Sequence, residues 1–278
     1  MSTDSDKKDS ENNSLSHEEA QDVETLQRLR APVVYEVIRR EGEEELTRPV
    51  GSLWWSGIAA GVGISTSVVA EGLLHDNLPD SSWRPLIENF GYCIGFLIVI
   101  LGRLQLFTEN TITAVLPLAA ERTRRNFLYT ARLWGTVFAA NLVGTFAFAA
   151  ATVFAGIFPA DQLEAFREIS HHLMLKAPME MLLHAVPAGF LVAALVWMMP
   201  SSEGSEFWVI LTMTYLIALG DFAHVIAGSA EAFLLLLSGE IGLAKTVFGF
   251  VVPAFVGNVI GGTALFAVLA YAQVKKEL

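Results

Sequence analysis

Residues 101–111 read LGRLQLFTENT, and this polar stretch lies inside an apolar run that extends from Leu86 to Ala120. One membrane-spanning helix needs about 20 predominantly apolar residues, so the run is too long for a single crossing. Non-helical backbone at membrane depth is tolerated where it is buried in protein or lines a wet cavity. We therefore interpret 86–120 as two half-helices joined by a non-helical link.

The composition of the whole chain is that of an integral membrane protein. Of its 278 residues, 53% are hydrophobic and only 17% are charged. The apolar runs predict six transmembrane segments, at roughly 50–74, 86–120, 128–157, 177–199, 207–238 and 246–273. We expect an acidic disordered tail over 1–22, an amphipathic cytoplasmic helix over 23–47 that lies on the protein or the membrane face, and a membrane channel domain over 48–274.

The fifth segment is interrupted like the second. Its polar stretch, LGDFAHVIAGS (219–229), aligns with LGRLQLFTENT at an offset of 118 residues, and NVIGGT (258–263) follows NLVGT (141–145) at nearly the same offset. Two consecutive halves of three segments each must cross the membrane in opposite directions. The sequence thus predicts an all-α membrane protein of two inverted three-helix repeats, with a site between the two breaks near the membrane midplane.

The half-helices that follow the breaks indicate what such a site could bind. A helix N-terminus presents free N–H groups and the positive end of a dipole, which favours an anion. Residues of the type that caps helices follow each break, and we expect caps from Thr108, Asn110, Thr111, Gly228 and Ser229. A path for a small anion is one interpretation. The other is that both breaks are packing devices filled by neighbouring helices.

Charge and residue types restrict the remaining classes. Most Lys and Arg residues fall in the N-terminal region, the 121–132 loop and the C-terminus, which predicts cytoplasmic termini in an inner membrane. The net charge of −11 argues against a nucleic-acid partner. The sequence has no nucleotide-binding loop and no clustered metal ligands, so it predicts neither an enzyme nor a cofactor or metal site.

Six motifs together carry a resemblance to a known family. In order, they are IAAGVGIS (58–65), LFTENT (106–111), NLVGT (141–145), LVWMM (195–199), DFAHVIAGS (221–229) and GNVIGGT (257–263). Their order and spacing resemble the formate/nitrite transporter family, most closely its YfdC-like branch, over 33–274. The resemblance implies an aquaporin-like protomer, a homopentamer in the lipid bilayer with one pore per subunit, and passage of small monovalent anions of weak acids.

The resemblance also implies roles for single residues. Thr108 would face His224, which could couple transport to protons, although Thr108 could instead only cap a half-helix. Asn258 matches a family motif, and it and Asn141 more readily hydrogen-bond the backbone of the breaks than a solute. The family's apolar pore constrictions match side chains that could equally be ordinary helix packing: Tyr92, Phe96, Leu106, Phe107, Val192 and Ile217.

The chain departs from the family at several of these positions. Arg103 and Asp221, equivalent under the repeat, stand where the family usually has small residues; because charges at membrane depth usually pair, we expect them to form an intramembrane pair, or to pair with groups such as Glu109. Ala223 and Gly228 replace a glutamate and an asparagine near the histidine, and Lys176 only roughly matches a family lysine. The substrate therefore stays open, with a neutral-solute pore and a non-transporting protein with a partner-binding N-terminal region as alternatives.

Overall fold

The computed structural model describes residues 28–277, where helices are the only regular elements and no strand is found. Residues from Ala31 onward form one unit. In chain order the helices are α1 (Ala31–Thr47), α2 (Val50–Asn77), α3 (Arg84–Leu101), α4 (Asn110–Ala120), α5 (Arg124–Phe154), α6 (Ala160–Leu173), α7 (Pro178–Met198), α8 (Glu206–Leu219), α9 (Val225–Leu237) and α10 (Lys245–Val274). A short 3₁₀ turn, Met199–Ser201, extends α7, and α10 contains two π-helical stretches, Lys245–Val251 and Ile260–Ala267.

Within residues 28–277, five helical stretches are long and apolar enough to cross a membrane: Val50–Asn77, Arg84–Leu101, Arg124–Phe154, Pro178–Ser201 and Lys245–Val274. The helices α4, α8 and α9 are apolar but shorter. The residues predicted for the second segment form α3 and α4, with non-helical backbone between them. Those predicted for the fifth segment form α8 and α9 in the same way.

Close helix packing in the first half depends on glycine. Gly61 of α2 and Gly144 of α5 face each other so closely that a Cβ on either would come within 2.9 Å of the other's Cα. Small residues let helix backbones approach in this way, which is the commonest device of helix contacts in membranes. The glycine of the NLVGT motif is therefore required by the contact between α2 and α5.

The N-terminal helix α1 begins at Ala31 with Pro32 in its first turn, where a missing N–H costs nothing. It is shorter than the predicted helix over 23–47: residues 28–30 are not helical, and 1–27, with the predicted disordered tail, lie outside the described residues. Val34, Tyr35 and Ile38 are buried in a cluster with apolar residues of α4, α7 and α10. This helix lies on the protein.

The amphipathic helix α6 was not predicted from the sequence. Its Phe166 is fully buried, and its ring lies against Gly72 of α2. Polar contacts also hold it: Glu168 lies 3.1 Å from His75, and Arg167 forms an ion pair with Glu240 at 3.3 Å. The packing places α6 beside the C-terminal end of α2.

Candidate functional site

The two breaks share one backbone conformation. Arg103 and Asp221 both have φ near 50°, and they are the only non-glycine residues of positive φ in 28–277. Each is followed by a residue whose N–H donates to a carbonyl five positions earlier: Leu104 to Val99 at 2.9 Å, and the equivalent pair of the second break at 3.0 Å. The left-handed residue thus ends the first helix of each broken segment and turns the chain.

Asn141 of α5 satisfies the backbone of the first break. Its side-chain oxygen accepts a hydrogen bond from the N–H of Phe107 at 2.9 Å. Its amide nitrogen donates to the carbonyls of Gln105 and of Gly57 in α2, both at 2.8 Å. One fully buried side chain therefore joins the break to two long helices.

Asn258 of α10 repeats this arrangement at the second break. It accepts from the N–H of Val225 at 2.8 Å and donates to the carbonyls of Ala223 at 2.9 Å and Ala185 at 2.7 Å. The two backbone groups that it binds in the break lie 118 residues after those that Asn141 binds. In the described chain both asparagines hydrogen-bond backbone, not each other or the histidine.

Thr108 and His224 meet where the two breaks approach each other. The Thr108 hydroxyl oxygen lies 2.6 Å from His224 Nε2, and both side chains are buried. His224 Nδ1 accepts from the N–H of Ala227 at 3.1 Å, so Nδ1 acts as an acceptor and the proton resides on Nε2. Nε2–H then donates to Thr108, which leaves the Thr108 hydroxyl hydrogen available to a third group.

The caps differ from those predicted. His224, not Gly228 or Ser229, caps α9 through Nδ1. At α4 the residue before the helix is Glu109, and it makes no side-chain cap. The hydroxyls of Thr111 and Ser229 donate to carbonyls instead, to Thr108 and Ile226 respectively, both at 2.7 Å. The Thr108 hydroxyl contacts His224. Pattern alone missed this because an imidazole nitrogen can serve as a cap acceptor although histidine is not a preferred capping residue.

Aromatic side chains surround this pair. Phe96 meets the His224 ring edge-on at 5.0 Å between centroids and lies 5.2 Å from the Tyr92 ring. Phe107 stacks on Phe255 at 5.1 Å. All six apolar residues named from the resemblance are buried: Tyr92, Phe96, Leu106, Phe107, Val192 and Ile217. Sequence analysis did not find Phe255, which no polar interruption or motif distinguishes from other helix phenylalanines.

His224 is one of the residues that line a cavity of about 410 Å³. Tyr92 and Ile217 line it, and so do many charged or titratable side chains: Glu71, His75, Arg84, Glu88, Glu168, His172, Asp221 and Glu231. Glu71 and Glu231 were missed, although each interrupts an apolar run, which is itself a signal of function. No group of three or more His, Cys, Asp or Glu side chains in 28–277 is arranged to hold a metal ion.

The predicted pair of Arg103 and Asp221 is wrong. Asp221 forms an ion pair with Lys176, whose side chain is 6% exposed, and lies 3.6 Å from His172. Arg103 instead acts on Glu41 of α1: burial raises the pKa of Glu41 above its ordinary value, and the Arg103 guanidinium partly offsets that rise. Arg103 and Asp221 therefore interact with different charged residues.

Arg103 and Asp221 do not pair because the two breaks lie beside different parts of α2. The first break lies near the start of α2, where Ser56 accepts from the N–H of Gln105 at 3.1 Å. Asp221 shares its cavity with Glu71 and His75, near the other end of α2. Ser56 and Glu71 are roughly 20 Å apart along the axis of α2, at about 1.5 Å per residue. Equivalence under the repeat therefore does not bring the two side chains together.

Comparison with known proteins shows which family and relatives this chain resembles in sequence. The sequence model of the family described as formate/nitrite transporter matches residues 32–272. The inner membrane protein YfdC of Escherichia coli (strain K12) is 40% identical over 249 residues, which is 90% of this chain and 80% of that protein. The uncharacterized transporter YrhG of Bacillus subtilis (strain 168) is 25% identical over 240 residues, 83% of this chain and 87% of that protein.

Solved structures share the fold at lower identity. A pentameric formate channel with formate bound superposes with a TM-score of 0.70 at 18% identity, covering 82% of this chain and 98% of that one. An ion channel of the same family gives 0.73 at 18% identity, with 87% and 98% covered. The match of the family's sequence model over nearly all of the described residues and the 40% identity to a relative establish that the chain belongs to the formate/nitrite transporter family.

Proposed function

We propose that the protein is a membrane channel or transporter for a small monovalent weak acid or its anion, of the formate or nitrite kind. The observation that carries this proposal is the contact between Thr108 and His224, which is one of the residues that line the cavity. It joins the two breaks, and it leaves a hydroxyl donor available at membrane depth. Family membership supports the same conclusion.

The proposed architecture has six membrane segments in two inverted repeats, five such protomers in the inner membrane, and both termini in the cytoplasm. The matching hydrogen bonds of Asn141 and Asn258 at an offset of 118 residues support the repeat. The assembly is supported by the fold shared with a pentameric formate channel. The distribution of Lys and Arg supports the orientation.

The physical reason for such a pair is the cost of desolvation. A small anion that leaves water for apolar surroundings loses far more hydration free energy than a neutral molecule. We assign the aromatic and aliphatic residues around the pair the role of constrictions that exclude water: Tyr92, Phe96, Leu106, Phe107, Val192 and Ile217. The Thr108 hydroxyl and the His224 imidazole would then replace part of the lost hydration, and the imidazole is the titratable member of the pair.

Flux into proteoliposomes tests this function. Purified protein should admit at least one of formate, nitrite, acetate, hydrosulfide or glycerol faster than empty liposomes do, measured at two pH values. Thr108→Val, which removes only the hydroxyl, should lower that flux about tenfold, whereas Thr108→Ser should retain it. His224→Asn keeps a capping side chain for α9 and should change the pH dependence.

The matched control is Thr152→Val, because Thr152 is also buried but donates within α5 to Phe148, away from the site. We expect it to transport like the unmodified protein. Wild-type protein that admits none of the five solutes, or Thr108 and His224 variants that both transport normally, would contradict the proposal. Deleting residues 1–30, outside the packed helix α1, should leave flux unchanged. If the N-terminal region carries the function instead, this deletion should abolish it.

A further inference from the structure

Two carboxyl groups in the cavity have no ion-pair partner among residues 28–277. Glu71 projects from α2 and Glu231 from α9, and both line the same cavity as His224. Neither forms a side-chain hydrogen bond with another described residue. Both belong to apolar helices, the long α2 and the shorter α9, where an ionisable side chain is costly and usually serves a function.

The other acidic groups of the cavity are matched by positive or titratable partners. Glu88 contacts Arg84 at 3.5 Å and His75 at 3.0 Å. Glu168 contacts the other ring nitrogen of His75. Asp221 is bound to Lys176, and this pairing uses the one lysine close to the cavity in the described chain. The uncompensated charge beside the path therefore belongs to Glu71 and Glu231.

This charge is opposite to what an open anion path requires. An ionised carboxylate repels an anion strongly where water is scarce, since the repulsion is screened much less than in bulk solvent. A protonated carboxyl can give its proton to an arriving anion: the O–H bond of the glutamic acid breaks, an O–H bond of the neutral solute forms, and the carboxylate then takes up one proton (H⁺) from the external solution. The ionised state therefore excludes the anion, and the protonated state passes it together with one proton.

We propose that Glu71 and Glu231 are specificity-determining residues that admit a weak acid from this cavity only in its uncharged form. The inference rests on the proposed transport function. It assigns a role to two side chains of this chain that neither the Thr108–His224 contact nor the apolar constrictions require. It also explains why the site can hold so much negative charge and still serve a weak acid.

The test measures whether flux carries charge. Proteoliposomes containing wild-type protein are given formate at a fixed pH, and a membrane potential is imposed with valinomycin and a potassium gradient. Wild-type uptake should be the same at either sign of the potential. The double variant Glu71→Gln, Glu231→Gln should admit the anion itself, so that uptake changes about tenfold or more between the two signs.

Glu164→Gln serves as the control, because Glu164 is an exposed residue of α6 that pairs with Arg167 and does not line the cavity. It should behave like wild type. Wild-type flux that already follows the potential would overturn the inference alone, and so would a double variant that stays electroneutral. Formate flux in the double variant but not in wild type would also overturn it, because the inference requires electroneutral uptake by wild type. The absence of flux in both proteins would overturn the proposed function and the inference together.

Discussion

Arg103 and Asp221 occupy the same strained backbone position in surroundings that differ greatly. Both have φ near 50°, a conformation that costs an ordinary L-residue about 1 kcal/mol and that asparagine tolerates better. Asp221 neutralises the buried ammonium of Lys176. Arg103, in contrast, forms no ion pair with an acidic residue of 28–277. The repeat thus preserves the shape of the break and not its charges.

Asparagine substitutions at the two positions separate backbone strain from charge. Arg103→Asn should leave the free energy of unfolding unchanged or raise it by up to about 1 kcal/mol, because it relieves strain and removes no ion pair. Asp221→Asn should lower it by about 1–2 kcal/mol, because aspartate already tolerates the left-handed conformation and Lys176 loses its counter-charge. Thermal unfolding in detergent would measure both. Equal shifts for the two variants would contradict this account of the breaks.

At the scale of single elements, α1 is held by one arginine as well as by its apolar face. Arg132 of α5 donates through Nη2 to the carbonyls of Leu46 at 2.7 Å and of Arg48 at 3.2 Å. A cation at this end of a helix satisfies free carbonyls and interacts favourably with the helix dipole. Arg132 therefore links the C-terminal end of α1 to the membrane helices.

Arg132→Gln should loosen α1 without unfolding the rest. Loss of these charged hydrogen bonds costs about 1.5–3 kcal/mol, so amides of 31–47 should exchange with solvent about tenfold faster or more. Arg125→Gln is the control: Arg125 lies 5.2 Å from the Tyr129 ring, as Arg132 does at 5.3 Å, but it makes no bond to α1. Hydrogen exchange by mass spectrometry gives the comparison. Unchanged protection of α1 in Arg132→Gln would show that apolar packing alone holds it.

The elements also show what sequence could and could not predict. Polar residues interrupting long apolar runs predicted both breaks, because a membrane helix tolerates few of them. The helix α6 escaped prediction because Ala160–Leu173 is amphipathic and too polar for a hydropathy criterion. The cap at His224 depends on ring orientation, and the pairing of Asp221 depends on a lysine 45 residues away. Such contacts are properties of the packed chain.

At the scale of the whole molecule, the cavity joins residues that are far apart in sequence. Glu71 on α2, Tyr92 on α3, Asp221 in the second break and Glu231 on α9 line one space. The sequence assigns each of these residues to a segment. That their charges share one cavity is known only once the helices of the chain are packed together. Large apolar side chains on the long helices are exposed, among them Trp55, Phe154 and Phe248.

The proposed pentamer predicts that its subunits transport independently of one another. Native mass spectrometry of the detergent-solubilised protein should give a mass about five times the 30.3 kDa of one chain. Because the Thr108–His224 contact and its cavity are built from one chain, each subunit should transport alone. Pentamers assembled from wild-type and Thr108→Val subunits should then show flux that rises linearly with the wild-type fraction. A steep, cooperative dependence on that fraction would mean that the path is shared between subunits, and a pore within each protomer would have to be abandoned.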